Sequence, residues 1–281
     1  MPGFLARTLL ATVALALATM ISGAASIALF GDLGIPQAEG AMPWQIASWL
    51  IIAATLVWLA YRSRLRGWPL ASALGLLYFG ISSFNSIIEA RFFYLISSRQ
   101  LFVILFMSAV ATILFALALA FVFRRLPEPA RSDPGWIPRA TWGRVAIGAF
   151  AYLVVYFAAG LSIMPFIEDF YAQRQMPKGL HVIAMQLLIR GPVFVALMTL
   201  LVRMSAAGRR ETAVMTGAAL SLLGGIAMLI VPNPFIPDPT RWAHLVEVGV
   251  SNFVYGGFLG WLLTKRVDSA TLAADNSRQG K

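Results

Sequence analysis

The sequence predicts an all-α membrane protein, a bundle of about eight helices that each cross a bilayer. Hydrophobic residues make up 59% of the 281 positions and charged residues only 12%. That charged fraction is about half of what an ordinary soluble domain carries. Long apolar runs separate the charges, so the chain has too little polar surface to cover a water-soluble globule.

The spans follow from the apolar runs. A bilayer core requires about 20 apolar residues per helix, because every backbone polar group must be hydrogen-bonded within the segment. Six runs contain no Asp, Glu, Lys or Arg, and two contain one charge each, Arg190 in the sixth span and Glu247 in the eighth. The predicted spans cover residues 8–31, 40–61, 67–88, 100–123, 145–167, 179–202, 212–237 and 242–264.

The first span has an alternative interpretation as a cleavable secretory signal. A basic residue precedes its apolar run, and the small residues 22–24 resemble a cleavage site. The uncharged run is long for the core of a signal peptide, which favours a retained helix.

The basic residues predict the orientation, because cytoplasmic loops of membrane proteins carry an excess of Lys and Arg. If both termini are cytoplasmic, most of the 22 basic residues fall on that side. The net charge of +10 is then explained by the basic residues of the cytoplasmic loops, and nucleic-acid binding is not expected. The Arg- and Ala-rich composition favours a bacterial inner membrane. The opposite side receives only Arg91, Arg99, Arg174, Lys178 and Arg241.

A proline-rich connection divides the chain into two sets of four spans. At an offset of 141 residues, Gln45 pairs with Gln186 and Arg62 with Arg203. Four spans per half would give a 4+4 parallel repeat, as in some transporters, although the bias in loop charges would align the arginines by itself. Within one membrane domain we expect a first half at 1–126, a linker at 127–143, a second half at 144–267 and a polar tail at 268–281.

Polar residues inside the spans are the candidates for function, since a charge at the bilayer centre costs about 2.5–3.5 kcal/mol on insertion scales. Arg190 lies near the middle of the sixth span, with Gln186 one turn before it on the same face. We expect Glu247 to be the partner of Arg190. Such a pair can bind a ligand or can simply hold two helices together.

Two polar stripes extend the candidate site. On the eighth span His244, Glu247, Ser251 and Tyr255 step by three, four and four, so they share a face.

On the third span Tyr78, Ser82, Asn85 and Glu89 step by four, three and four. Glu89 can alternatively form a solvated pair with Arg91 at the level of the lipid headgroups. We expect a polar pocket open to the non-cytoplasmic side, built from the third, fifth, sixth and eighth spans. Its predicted ligand-binding residues are Arg190, Glu247, Gln186, His244, Asn85, Glu89, Ser251 and Tyr255.

Enzyme signatures are mostly missing from the sequence. There is no cysteine, which excludes disulfides, thiolate metal sites and cysteine nucleophiles. No phosphate-binding loop, dinucleotide fingerprint or HExxH zinc motif occurs. His181, His244 and Glu247 are a weak alternative for a zinc site with one open position. The sequence therefore predicts no cofactor and no catalytic residue.

Three classes of function remain. The first is a transporter-like protein that binds a small anionic solute or a lipid headgroup, because a buried arginine favours an anionic group. The second is an intramembrane enzyme acting on a lipid-linked substrate. The third is a structural or assembly protein. The expected partner in each case is the lipid bilayer, and faces rich in small residues would permit a homo-oligomer.

Overall fold

A computed structural model describes residues 2–32, 38–124, 126, 136–138, 140–174, 176–232 and 235–266. It confirms the predicted all-α polytopic bundle, because eight apolar helices long enough to cross a bilayer occur among these residues. We number the helices α1 Gly3–Phe30, α2 Ala41–Tyr61, α3 Gly67–Phe92, α4 Ser98–Val122, α5 Trp142–Ala172, α6 Gly179–Met204, α7 Arg209–Leu229 and α8 Asp238–Leu262.

The lengths of the helices fit a membrane. The shortest, α2 and α7, have 21 residues each. At about 1.5 Å per residue these helices match the thickness of the hydrocarbon core, roughly 30 Å. The chain is therefore a multi-pass membrane protein.

Local signals explain several helix ends. α4 begins after Ser97, whose hydroxyl accepts from the Gln100 N–H while the Gln100 side chain accepts from the Ser97 N–H. α7 ends at Leu229, before the proline-rich segment that the prediction included in this span. α5 continues to Ala172 and passes through Pro165.

Three of the helices contain a short π-helical segment: Phe79–Phe84 in α3, Gln186–Arg190 in α6 and Leu222–Ile226 in α7. A π-helical turn holds one residue more than an α-helical turn, and such turns are frequent at functional sites. Each segment therefore rotates the residues that follow it onto a different face from the one they would occupy in an uninterrupted α-helix.

Successive helices cross the bundle in alternating directions. We call the side where α1 begins the terminal side and the other side the distal side. The connections from α2 to α3 and from α6 to α7 lie on the terminal side. Those from α3 to α4, from α5 to α6 and from α7 to α8 lie on the distal side.

The bundle has central and peripheral helices. α3, α6 and α7 are the most buried spans, whereas α1, α4 and α5 are the least buried. α1 packs against α2 and α4, and α5 packs against α6 and α8. Between these groups α3 contacts α6, and α2 contacts α7. A polar site at the contact of α3 with α6 would therefore lie inside the bundle.

On the terminal side, two loops pair through their backbones. Arg64 N–H donates to Met204 O and Ala206 N–H donates to Arg62 O, both at 2.7 Å, so Ser63 lies opposite Ser205. Strand β1 Trp136–Pro138 also pairs antiparallel with strand β2 Thr264–Arg266.

The two proposed halves contact each other closely, and the 4+4 repeat stays a prediction. Most of the linker 127–143 and the whole tail 268–281 lie outside the described residues.

Candidate functional site

Arg190 lies at the end of the π-helical segment of α6 and is 7% exposed. Its Nη1 donates a short hydrogen bond to Oε1 of Glu89 on α3. The same nitrogen donates to Gln186 Oε1 at 3.3 Å. A charged hydrogen bond therefore connects the two central helices inside the bundle.

The directions of the helices explain why Arg190 meets Glu89. Side chains on a helix tilt toward its N-terminus. α6 starts on the distal side, so Arg190 extends toward that side from the middle of its helix. α3 starts on the terminal side, so Glu89, near the distal end of α3, tilts inward. The two side chains approach each other from different depths.

Aromatic rings surround the other side of the guanidinium. Arg190 Cζ lies 5.5 Å from the ring centre of Tyr152 on α5 and 5.8 Å from that of Phe194 on α6. Tyr255 of α8 lies 5.1 Å from Tyr152, ring centre to ring centre, and donates its hydroxyl to Gly148 O at 3.1 Å. Cation–π contacts of this kind hold an arginine in a defined position.

Close contact between α5 and α6 brings Tyr152 to Arg190. A Cβ atom added to Gly191 would lie 2.9 Å from Ala149 Cα, and one added to Gly148 would lie 2.6 Å from a methyl carbon of Val195. Only a residue without a side chain permits these approaches. The glycine next to Arg190 is therefore part of what positions it.

A second polar chain runs beside the ion pair. His244 Nδ1 lies 3.2 Å from Glu247 Oε2 on α8, as their spacing of three predicts. His244 Nε2 lies 3.1 Å from the hydroxyl of Tyr171, at the distal end of α5. The Glu89 carboxylate interacts electrostatically with Arg190, Glu247 and His244. Helices α3, α5, α6 and α8 therefore contribute to one polar cluster.

Hydrogen bonding in this cluster is incomplete. Among the residues that the structure describes, neither Arg190 Nε nor Gln186 Nε2 has a hydrogen-bond partner, and both atoms are buried. Gln186 must turn its oxygen toward Arg190, because the guanidinium has only donors, so its NH₂ group faces away. Buried polar atoms are nearly always paired, so two unpaired donors one turn apart require an explanation.

The structure corrects the predicted partner of Arg190. Arg190 pairs with Glu89, and Glu247 pairs with His244. The alternative pair of Glu89 with Arg91 is also wrong, since the Arg91 Nε donates to Ser98. Depth along the helices did not distinguish the two glutamates, and packing of α3 against α6 selects Glu89.

The predicted polar stripe on α3 is also wrong, because the π-helical segment lies within it. Tyr78 contacts Phe115 of α4, and Ser82 donates to Leu223 O of α7 at 2.8 Å. Asn85 Nδ2 donates to Gly80 O of its own helix at 3.0 Å. The four side chains do not share one face.

The remaining predicted residues lie at different places. Ser251 donates to Val248 O of its own helix at 3.5 Å. Tyr255 is connected to Arg190 through the rings of Tyr152 and Phe194. His181 is exposed at the start of α6. Among the described residues no three His, Asp or Glu side chains form a group that could hold a metal ion, so the weak alternative of a zinc site gains no support.

Tyr152, Tyr171 and Phe194 were not among the predicted site residues, because none of them carries a charge inside a span or belongs to one of the two predicted polar stripes. Tyr152 lies well inside α5, and a tyrosine hydroxyl so far from the helix ends was a signal that could have been used.

Comparison with known protein families, curated proteins and solved structures finds no match to this chain.

Proposed function

We propose that this membrane protein binds an anionic group, of a small solute or a lipid headgroup, at Arg190. The observation that carries the proposal is the pair of buried, unpaired donors, Arg190 Nε and Gln186 Nε2, beside the ion pair. An oxyanion supplies several acceptors to a guanidinium edge and an adjacent amide. No neutral ligand would interact as strongly with a cation in a medium of low dielectric constant.

The ligand would enter from the distal side. Arg190 extends toward that side, and the Glu89 side chain is 29% exposed. With the terminal side in the cytoplasm, as the arginine-rich loops favour, the site would face the outside of a bacterial inner membrane. Transport across the membrane would be a further step that begins with this binding.

Binding can be tested with the protein purified in an uncharged detergent. The probes are octanesulfonate and sulfate as free anions, and dioctanoyl phosphatidylglycerol as an anionic lipid, with dioctanoyl phosphatidylcholine as the zwitterionic control. Calorimetric titration should show saturable binding of at least one anionic probe and none of the control. Preference for octanesulfonate or sulfate indicates a solute, and preference for the glycerolipid indicates a headgroup.

The variants assign the binding to Arg190. Arg190→Gln should abolish it, but this change leaves Glu89 without its cation. The neutral variant Glu89→Gln/Arg190→Gln is therefore measured too, and it should also not bind. The control is Arg99→Gln, since Arg99 is exposed and donates to the carbonyl of Phe30 on α1. Equal affinities in the wild type and the neutral variant would contradict the proposal.

A specific observation favours the intramembrane enzyme as the second candidate. A hydroxyl, an imidazole and a carboxylate in series, here Tyr171, His244 and Glu247, can activate the hydroxyl or transfer a proton. The test incubates the protein with the lipid extract of the expression host and follows the lipids by mass spectrometry. Enzymatic function requires a lipid that is converted by the wild type and not by His244→Gln.

A further inference from the structure

We infer that an anion binding at Arg190 takes up a proton, and that the Glu89 carboxylate receives it. The inference rests on the proposed function and adds the coupling of the ligand to a proton. Glu89 already occupies the guanidinium that the anion would bind.

The charges of the cluster explain why an anion would bring a proton with it. The Arg190 guanidinium pairs with Glu89, and Glu89 in turn interacts electrostatically with a second carboxylate, Glu247. His244 lies between Glu247 and Tyr171. An anion bound at the unpaired Nε of Arg190 would share the guanidinium with Glu89, whose carboxylate would then lie between Glu247 and the anion. Like charges repel strongly where the dielectric constant is low. A proton on Glu89 removes the repulsion and keeps the net charge of the cluster unchanged.

The groups around Glu89 come from every helix of the cluster. α6 contributes Arg190, and α8 contributes His244 and Glu247. α5 contributes three tyrosines, Tyr152, Tyr156 and Tyr171. Arg190 is the one permanent cation among these groups. When an anion binds there, one fixed positive charge serves both the anion and Glu89.

A route for the proton is present in the same cluster. The two ring nitrogens of His244 contact different groups, the Tyr171 hydroxyl and the Glu247 carboxylate. An imidazole can accept a proton at one nitrogen and release one from the other. Tyr171 lies at the distal end of α5. The proton would pass from the distal side through His244 and Glu247 to an oxygen of Glu89. Each of the two relay groups releases one proton for each that it accepts, so the net change is one new O–H bond, on Glu89.

Coupling of this kind is reciprocal. A rise in pH should weaken anion binding, and anion binding should raise the affinity of Glu89 for a proton. If one proton accompanies each anion, affinity falls about tenfold per pH unit across the range in which Glu89 titrates.

The test counts protons directly with the wild-type protein. Octanesulfonate serves as the probe, because its own charge is constant across the pH range used. It is added to protein in weakly buffered detergent solution with a pH indicator, and affinity is measured over a series of pH values. We expect uptake of about one proton per anion bound, together with the tenfold pH dependence.

Variants identify the acceptor. Glu89→Gln should bind octanesulfonate without proton uptake and with affinity independent of pH. The control Glu168→Gln, an exposed glutamate near the distal end of α5, should behave like the wild type. Proton uptake that persists in Glu89→Gln and is lost in Glu247→Gln would overturn the assignment to Glu89.

The outcomes separate this inference from the proposed function. Binding that requires Arg190 but takes up no proton would overturn the coupling and leave the proposed function in place. Binding that does not require Arg190, or no binding of any anionic probe, would overturn both. The proton count needs only the wild type, so a variant that fails to fold does not prevent the test.

Discussion

Arg190 and Arg241 are both buried arginines, but their surroundings differ. Arg241 is 1% exposed, and all three nitrogens of its guanidinium are hydrogen-bonded. Nη1 donates to Leu229 O at 2.7 Å and to Ile230 O at 3.0 Å, while Nε and Nη2 donate to Asp238. Arg241 thus connects the start of α8 to the carbonyls at the end of α7, where a cation is favourable.

Arg190 is almost as buried but has an incomplete set of partners. Its Nη1 carries the hydrogen bonds to Glu89 and Gln186, and its Nε has no partner among the described residues. The difference shows that burial of a charge does not by itself mark a functional site. Arg241 has a complete structural role, whereas Arg190 keeps donors that a ligand can use.

The largest effect on stability is expected for the loss of the Arg190 charge beside Glu89. Arg190→Gln should lower the free energy of unfolding by about 3 kcal/mol, because Glu89 loses its cation within the bundle. Adding Glu89→Gln should recover at least half of that loss. The free energies are measured by denaturant titration in mixed micelles. A double variant as unstable as the single one would show that the loss does not come from an unpaired Glu89 carboxylate.

Arg241→Gln should have the next largest effect, a loss of about 2 kcal/mol, since it removes donors from two backbone carbonyls. Its ion pair with Asp238 contributes little, because that carboxylate is 67% exposed. The same denaturant titration measures the loss, and octanesulfonate affinity should be unchanged. Loss of binding in this variant would remove the distinction between the two arginines.

Gly191→Ala tests how the position of Arg190 is set. The added methyl would meet the backbone of Ala149, which should cost about 1–2 kcal/mol and weaken octanesulfonate binding by moving α5 away. The control is Gly160→Ala on α5, where no atom lies within 4 Å of the added Cβ. If both variants bind like the wild type, the close contact does not position the site.

Tyr152 should give the smallest effect. Tyr152→Phe keeps the ring beside the guanidinium, so octanesulfonate affinity should change less than about twofold. Tyr152→Leu removes the ring and should weaken affinity by about three- to tenfold. Calorimetric titration measures both. A large effect of Tyr152→Phe would instead assign a role to the hydroxyl.

The sequence was sufficient for the architecture and for several residues of the polar cluster, but not for how they pair. Hydropathy predicted all eight spans, because the bilayer imposes a length and a composition on each helix. Arg190 and Gln186 were found because an intramembrane charge is rare and a spacing of four keeps both residues on one face. The spacing of three also placed His244 and Glu247 on one face of α8, although it did not predict that they pair with each other.

The partner of Arg190 could not be predicted from spacing alone. Glu89 and Glu247 both lie in the distal halves of their helices, and the contact of α3 with α6 decides between them. The π-helical segment Phe79–Phe84 also changes the register of α3, and no sequence period reveals it. Tertiary packing therefore determined the details of the site that the periodicity left open.

One measurement compares the two arginines directly. In protein labelled with ¹⁵N-arginine, the Nε–H signals of Arg190 and Arg241 can be assigned by their loss in the corresponding glutamine variants. Titration with octanesulfonate should shift the Arg190 signal in a saturable manner and leave the Arg241 signal in place. An Arg190 signal that stays fixed at saturating octanesulfonate would contradict anion binding at this arginine.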